Sequence, residues 1–422
     1  MERKYCVVPQ CFNSTVKTPD KLFFYVPEDP KMRKKWMIAV KRVDSIGPKT
    51  KAHCCEDHFD VENDMENYVK YKLVGGKLKL KKGVVPHRFA CQKQSVEKPE
   101  RSVVKTLKIA KLTASRCGLR VVFKARGLMP PVFTPLNDDY TINYEVIPAY
   151  ADYLTKAGIK SVLVGGTTGE HMSLNVADRK KVVDAWVKTA KTTGLHIQVQ
   201  VGGAPLADVL DLASYCEKEG ADSLLTLPEL YFRPQNVNEL VSYVELVAKA
   251  APNLPVLYYH IPSMSKVEIN MPAFVTAATA HIPNFKGIKF TSNDLSEGAQ
   301  VLRALKDDQE IFLGADTLLA PAALLGIKSS IGTTWNLFPR LAQDILDAVE
   351  KNDVAKARAL QEKLSLAIEA HTVEGAWVPI MKAGMEIVSG IKVGPPSLPQ
   401  RPIAEEARKR IEDRLRNLRI IN

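Results

Sequence analysis

The chain has 422 residues, of which 45% are hydrophobic and 25% charged, the composition of a globular protein long enough for two or more domains. No run approaches 18 uninterrupted apolar residues, and no long apolar stretch follows the charged N-terminus, so neither a membrane span nor a secretory signal is expected. The net charge of +12 is lopsided: residues 1–124 hold 28 Lys+Arg against 13 Asp+Glu, the remainder 31 against 34, so a polyanionic partner is expected in the first third alone.

Residues 1 to about 90 are turn-rich, with one helix-like stretch, DPKMRKKWMIAVKRV, which Asp29 and Pro30 are suited to open. Six of the seven cysteines (Cys6, Cys11, Cys54, Cys55, Cys91, Cys117) precede residue 118. With no sign of secretion, such a cluster reads as metal ligands before disulfides. Cys6-x4-Cys11, then 43 residues, then Cys55-x2-His58 offers two thiolates from one loop and a Cys/His pair from another. Four soft ligands of this kind make a closed tetrahedral zinc site that staples a small α+β domain; buried cysteines without metal are the alternative on spacing alone.

More than the spacing matches. FFYVPEDPKMRKKW with Pro27 and Trp36, Phe59 directly after His58, and GVVPHRF with Pro86 resemble the THAP domain over residues 1–90. The resemblance implies zinc on Cys6, Cys11, Cys55 and His58, with Cys54 a rival for the third position, and it implies DNA binding. Lys and Arg within 31–51 and 70–88 then supply phosphate contacts.

Residues 91–125 are basic with little apolar period and read as a linker. From there to residue 422, short apolar runs alternate with amphipathic stretches. LMPPVFTPL, SVLVGG, HIQVQVG, DSLLTLP, PVLYYHIP, FKGIKFTS, EIFLGAD and KSSIGTTWN are eight strand candidates, each followed by a helical pattern. The expected architecture is an α/β fold, a (β/α)8 TIM barrel with extra C-terminal helices from about residue 353. A doubly wound open sheet is the second choice, disfavoured because no GxGxxG follows the first strand.

Polar residues collect at the C-terminal ends of these strands, where a barrel keeps its catalytic groups: GGTTGE, YYHIP, GIKFTS, GAD and GTTWN. Lys289 interrupts the apolar run FKGIKF. A lysine so placed is desolvated, which favours the neutral amine that attacks a carbonyl to form an imine. The alternative for the lysine alone is a stem on the barrel wall with its head reaching solvent.

GGTTGE, Tyr259 ahead of His260-Ile261-Pro262, and the strand lysine, in this order, resemble the N-acetylneuraminate lyase/dihydrodipicolinate synthase superfamily over residues 126 to about 400. The resemblance implies Lys289 as Schiff-base nucleophile and Tyr259 as general acid/base. Thr167 and Thr168 hold the substrate carboxylate, Thr167 also passing a proton to Tyr259. Thr291, Gly314, Asp316 and Thr333 fall at sugar-contacting positions. YYHIPSMSKV, GIKFTSNDL and SGIKVGPP favour the lyase branch, whose reaction splits N-acetylneuraminate into N-acetylmannosamine and pyruvate without metal or cofactor. Thr317 stands where that branch carries a glutamate, which leaves another 2-keto acid open. Tyr231 in LPELYFRP is the candidate for a tyrosine reaching a neighbouring subunit of a homotetramer. The zinc domain points to the nucleus and the enzyme to the cytoplasm. The competing reading is a DNA-binding protein whose barrel is an inactive oligomerisation or sensing module. Whether one polypeptide carries both halves is a question for detection of the intact chain.

Overall fold

The computed structural model describes residues 4–9, 11–40, 50–74, 76–89 and 121–422. The chain divides into two compact units, Met1–Cys117 and Gly118–Asn422. Most of the expected linker, part of the basic stretch (41–49), Cys91 and Cys117 lie outside the described residues.

In the first unit, β1 (Phe23–Tyr25) pairs antiparallel with β2 (His53–Cys55). The helix Pro30–Ala39 starts as its sequence dictates: the Asp29 side chain accepts from the Met32 N–H at 2.8 Å, and Pro30 occupies a position that needs no donor. Its Trp36 is buried on Phe24, Phe59 and Met65, and the indole donates to the Val84 carbonyl at 2.9 Å. Among the described residues the core cluster of this unit has nine buried apolar side chains, a small core, so a covalent or metal staple has a clear part to play.

The second unit is built on a parallel sheet whose strands neighbour one another in chain order: β3 (Ser161–Val164), β4 (His196–Gln200), β5 (Ser223–Thr226), β6 (Val256–His260), β7 (Phe285–Phe290), β8 (Glu310–Leu313) and β9 (Ser329–Ser330). The first of the eight expected strands, LMPPVFTPL, forms no regular ladder. It nevertheless closes the barrel, because Leu128 bridges Ser330 of β9 and Pro131 bridges Leu163 of β3. The reason is local: Pro130 and Pro131 have no N–H to give, so only their neighbours donate, Met129 N–H to Ser330 and Val132 N–H to Leu163, both 2.9 Å, while the Pro130 carbonyl accepts from the Leu163 N–H at 3.0 Å. The sheet is therefore a closed barrel of eight staves and not the open alternative.

Helices follow the staves in turn, from Val146–Lys156 to Pro339–Glu350. Asn175, Asn236, Asn270 and Asp294 each cap one with a side-chain oxygen, worth about 1 kcal/mol apiece. Three more, Val354–Thr372, Trp377–Ser389 and Glu405–Asn417, pack Ile368, Ile380, Met385 and Ile411 against the helical layer, as the pattern beyond residue 353 predicts. Strand alternation sorts side chains into an outer core under the helices and an inner one containing Met129, Leu163, Leu225, Leu257, Tyr259, Phe312 and Ile331. The inner core reaches back to Phe123, which meets Phe312 and His196 edge-on at 6.1 and 5.8 Å and stops the N-terminal end of the barrel. Among the described residues no helix is long and apolar enough to cross a membrane.

Candidate functional site

Whether Lys289 faces the barrel interior turns on one irregularity. Phe285 packs in the outer core, so simple alternation would send residue 289 outward with it. The pairing of β6 with β7 shifts between Val256 and Leu257: Val256 opposes Phe285, but Leu257 opposes Gly287, leaving Lys286 as the extra residue of a bulge. From there Ile288 and Phe290 face outward, and Lys289 turns inward opposite Tyr259. Gly287 makes this possible. Its φ is +131°, and a Cβ there would lie 1.8 Å from the Glu310 carbonyl oxygen. Gly287→Ala is expected to lower barrel stability by about 3 kcal/mol or more, read as a fall in the thermal unfolding midpoint; an unchanged midpoint would contradict this account of the bulge.

The inward lysine is buried, and its Nζ lies 4.1 Å from the Tyr259 ring centroid. The Tyr259 hydroxyl is 3.2 Å from Thr167 Oγ1. Thr168 Oγ1 is 2.7 Å from Thr333 Oγ1, bringing the ends of β3 and β9 together. These residues line one cavity of about 450 Å³ at the C-terminal end of the barrel, with Thr291, Gly314, Asp316 and Thr317. Gly314 is needed for that wall, since a Cβ would sit 1.9 Å from Thr291 Oγ1. The Thr291 hydroxyl makes no hydrogen bond among the described residues. Asp316 is already engaged: its Oδ2 accepts from the Thr334 N–H (2.9 Å) and hydroxyl (2.7 Å), joining β8 to β9. Burial pushes its carboxyl up, against the opposing pull of those two bonds and of Lys289.

In the first unit the ligand atoms of Cys6, Cys11, Cys55 and His58 lie within 4.8 Å of one another. Cys54, the rival in the sequence, is buried instead in the apolar core beside Phe24 and Trp36. Period-two alternation along β2 separates the neighbours onto opposite faces. His58 Nδ1 donates to the Arg88 carbonyl at 2.7 Å, which fixes the tautomer and leaves the Nε2 lone pair for a metal. Hydrogen bonding from Cys6 foremost, then from His58 and Asn13, pushes the Cys55 thiol down to about 4 despite its burial. The three thiols, the imidazole tautomer and the spacing fit a tetrahedral zinc ion.

The sequence profile of the Dihydrodipicolinate synthetase family matches residues 124–418. The chain belongs to that family. The THAP domain profile matches residues 6–89. N-acetylneuraminate lyase of Rattus norvegicus is 34% identical over 301 residues, covering 71% of this chain and 94% of the relative. The Gallus gallus N-acetylneuraminate lyase is 35% identical over 289 residues, covering 67% and 92%. A solved structure, Proteus mirabilis N-acetylneuraminate lyase, superposes with a TM-score of 0.67 at 31% identity, over 71% of this chain and all of that one.

Several residues that shape the family's barrel site here escape a reading of the sequence. Glu170, at the end of GGTTGE, takes a left-handed turn and meets Lys382 at 2.8 Å, both side chains 2% exposed. Lys382 also donates to the carbonyls of Thr134 and Pro395, and Glu170 Oε1 accepts from the Ser397 N–H. The pair thus ties the threonine loop to segments more than 200 residues later. Trp377, Ile368 and Met264 complete the cavity wall. Tyr231 and Phe232 stand clear of the barrel, 84% and 82% exposed, in edge contact with each other at 5.0 Å. Arg33, included among the phosphate contacts, is buried and donates to the carbonyls of Thr50 and Pro27, so its role is structural.

Proposed function

We propose that the barrel is a class I aldolase that cleaves N-acetylneuraminate reversibly to N-acetylmannosamine and pyruvate, and that the first unit is a zinc-stabilised DNA-binding domain. The carrying observation is the inward lysine beside the tyrosine: Lys289 Nζ over the Tyr259 ring at 4.1 Å, with Thr167 3.2 Å beyond on the phenol. Relatives at 34–35% identity are N-acetylneuraminate lyases over nearly their whole length.

In this reading Lys289 adds to the keto carbon of the open-chain substrate and water leaves, giving a protonated imine. The imine draws electrons from the C–C bond between the α and β carbons. Tyr259, with Thr167 as its proton partner, removes the proton of the hydroxyl on the far carbon of that bond, which becomes the aldehyde carbonyl. The bond breaks to an aldehyde and an enamine, which is protonated and hydrolysed to pyruvate, freeing the amine. Thr167 and Thr168 hold the carboxylate. The free hydroxyl of Thr291, with Thr333 and the Gly314–Asp316 turn, faces the aldehyde half. Thr317, in place of a carboxylate, removes one strong acceptor for the sugar tail. The expected outcome of a pyruvate-release assay is therefore activity on N-acetylneuraminate above that on other 2-keto acids; greater kcat/KM on a shorter one would move the substrate assignment while leaving the chemistry in place. Pyruvate release from no 2-keto acid would make the barrel a binding module.

Zinc on Cys6, Cys11, Cys55 and His58 would cross-link the two loops and takes no part in the aldol chemistry. Exposed Lys31, Lys34, Lys35, Lys72, Lys77 and Lys79 supply the phosphate contacts. A homotetramer, in which the exposed Tyr231–Phe232 pair meets a neighbouring subunit, completes the proposal, with action in the cytoplasm, the nucleus or both.

A further inference from the structure

The cavity wall contains a hydrogen-bond chain that begins on a C-terminal helix. Trp377, the first residue of the helix Trp377–Ser389, places its indole Nε1 3.1 Å from Thr333 Oγ1. Thr333 Oγ1 is in turn 2.7 Å from Thr168 Oγ1. Each hydroxyl can both donate and accept, so the Thr333–Thr168 pair by itself has no fixed direction. An indole N–H only donates. Thr333 therefore accepts from Trp377, and a hydroxyl polarised by accepting one bond is the stronger donor in the next, which favours Thr333 giving its own proton to Thr168. Thr168 accepts, and its proton finds no acceptor among the described residues except what enters the cavity.

We propose that Trp377 is a positioning residue that sets the polarity of this chain, so that Thr168 presents a hydrogen rather than a lone pair to the substrate and the site selects a carboxylate over a neutral group. Both hydroxyls are buried, Thr168 at 2% and Thr333 at 8% exposure, so water competes poorly for their bonds. The inference rests on the proposed imine chemistry and on Thr168 as a carboxylate contact.

The test uses the full chain and one tube. An equal mixture of pyruvate and methyl pyruvate, its neutral ester, is reduced onto the protein with borohydride, and the two adducts on Lys289 are quantified by mass. Taking their ratio within one sample cancels any loss of folded protein. The unaltered chain is expected to favour pyruvate. In Trp377→Phe, which keeps an aromatic ring but no donor, the preference is expected to fall roughly three- to tenfold. Thr333→Val, which breaks the same chain one step closer, is expected to lower it at least as far. A ratio unchanged within about twofold in Trp377→Phe, with adducts present, overturns the polarity argument and leaves the imine reading intact. No adduct on Lys289 in the unaltered chain overturns the imine reading and this inference with it.

Discussion

Lys289→Ala is expected to reduce pyruvate release by roughly four orders of magnitude or more, because loss of a covalent nucleophile removes the reaction path itself. Lys289 is the only lysine among the described residues lining the cavity, so no other amine stands ready to substitute. Folding should survive the change. The removed side chain borders an existing cavity of about 450 Å³ and leaves no packed void behind. A thermal midpoint within a few degrees of the unaltered chain, together with lost activity, is the expected pair of results. Activity within tenfold of normal would place the nucleophile elsewhere and dismantle the site as described.

The second large effect concerns the first unit. Cys55 sits at the centre of the four-ligand cluster, 3.7 Å from Cys11 Sγ and bonded by the Asn13 side-chain amide at 3.1 Å. Binding of a structural zinc ion supplies about 10–16 kcal/mol in isolated zinc-finger peptides, more than a small core of this size can lose. Cys55→Ala, or chelation of the metal, is expected to unfold the first unit and abolish retention on DNA, while pyruvate release continues. Native-like thermal unfolding and DNA retention after complete chelation would remove zinc from the account. The separate fates of the two activities also test whether the units fold independently.

Much of this was legible in the sequence because it is written in local chemistry. Asp29-Pro30 opens a helix where cap chemistry puts one, and the eight apolar runs fall on the eight staves. Cys6, Cys11, Cys55 and His58 share a spacing that only a few ligand arrangements satisfy. What stayed hidden depends on register or on distant partners. FKGIKF is apolar on both sides of the lysine, so no alternation shows which way Lys289 points; the bulge at Gly287 decides it. The prolines of LMPPVFTPL weaken a strand without preventing closure, because its flanking N–H groups and the Pro130 carbonyl carry the bonds. Trp377 and Lys382 look like ordinary members of an amphipathic helix. They reach the site only because the C-terminal helices fold back over the barrel, Trp377 meeting Thr333 across 44 residues and Lys382 meeting Glu170 across 212. Cys54 and Cys55 are separated by strand alternation, which requires knowing that β2 is a strand.

The central claim is that Lys289 forms an imine with a 2-keto acid, and trapping that imine tests it most directly. The full chain is incubated with pyruvate, reduced with borohydride, digested and mapped by mass spectrometry. The account predicts a single reduced pyruvyl adduct, on Lys289, absent from Lys289→Ala. An unmodified Lys289 after reduction at saturating pyruvate, or an adduct confined to another lysine, contradicts it.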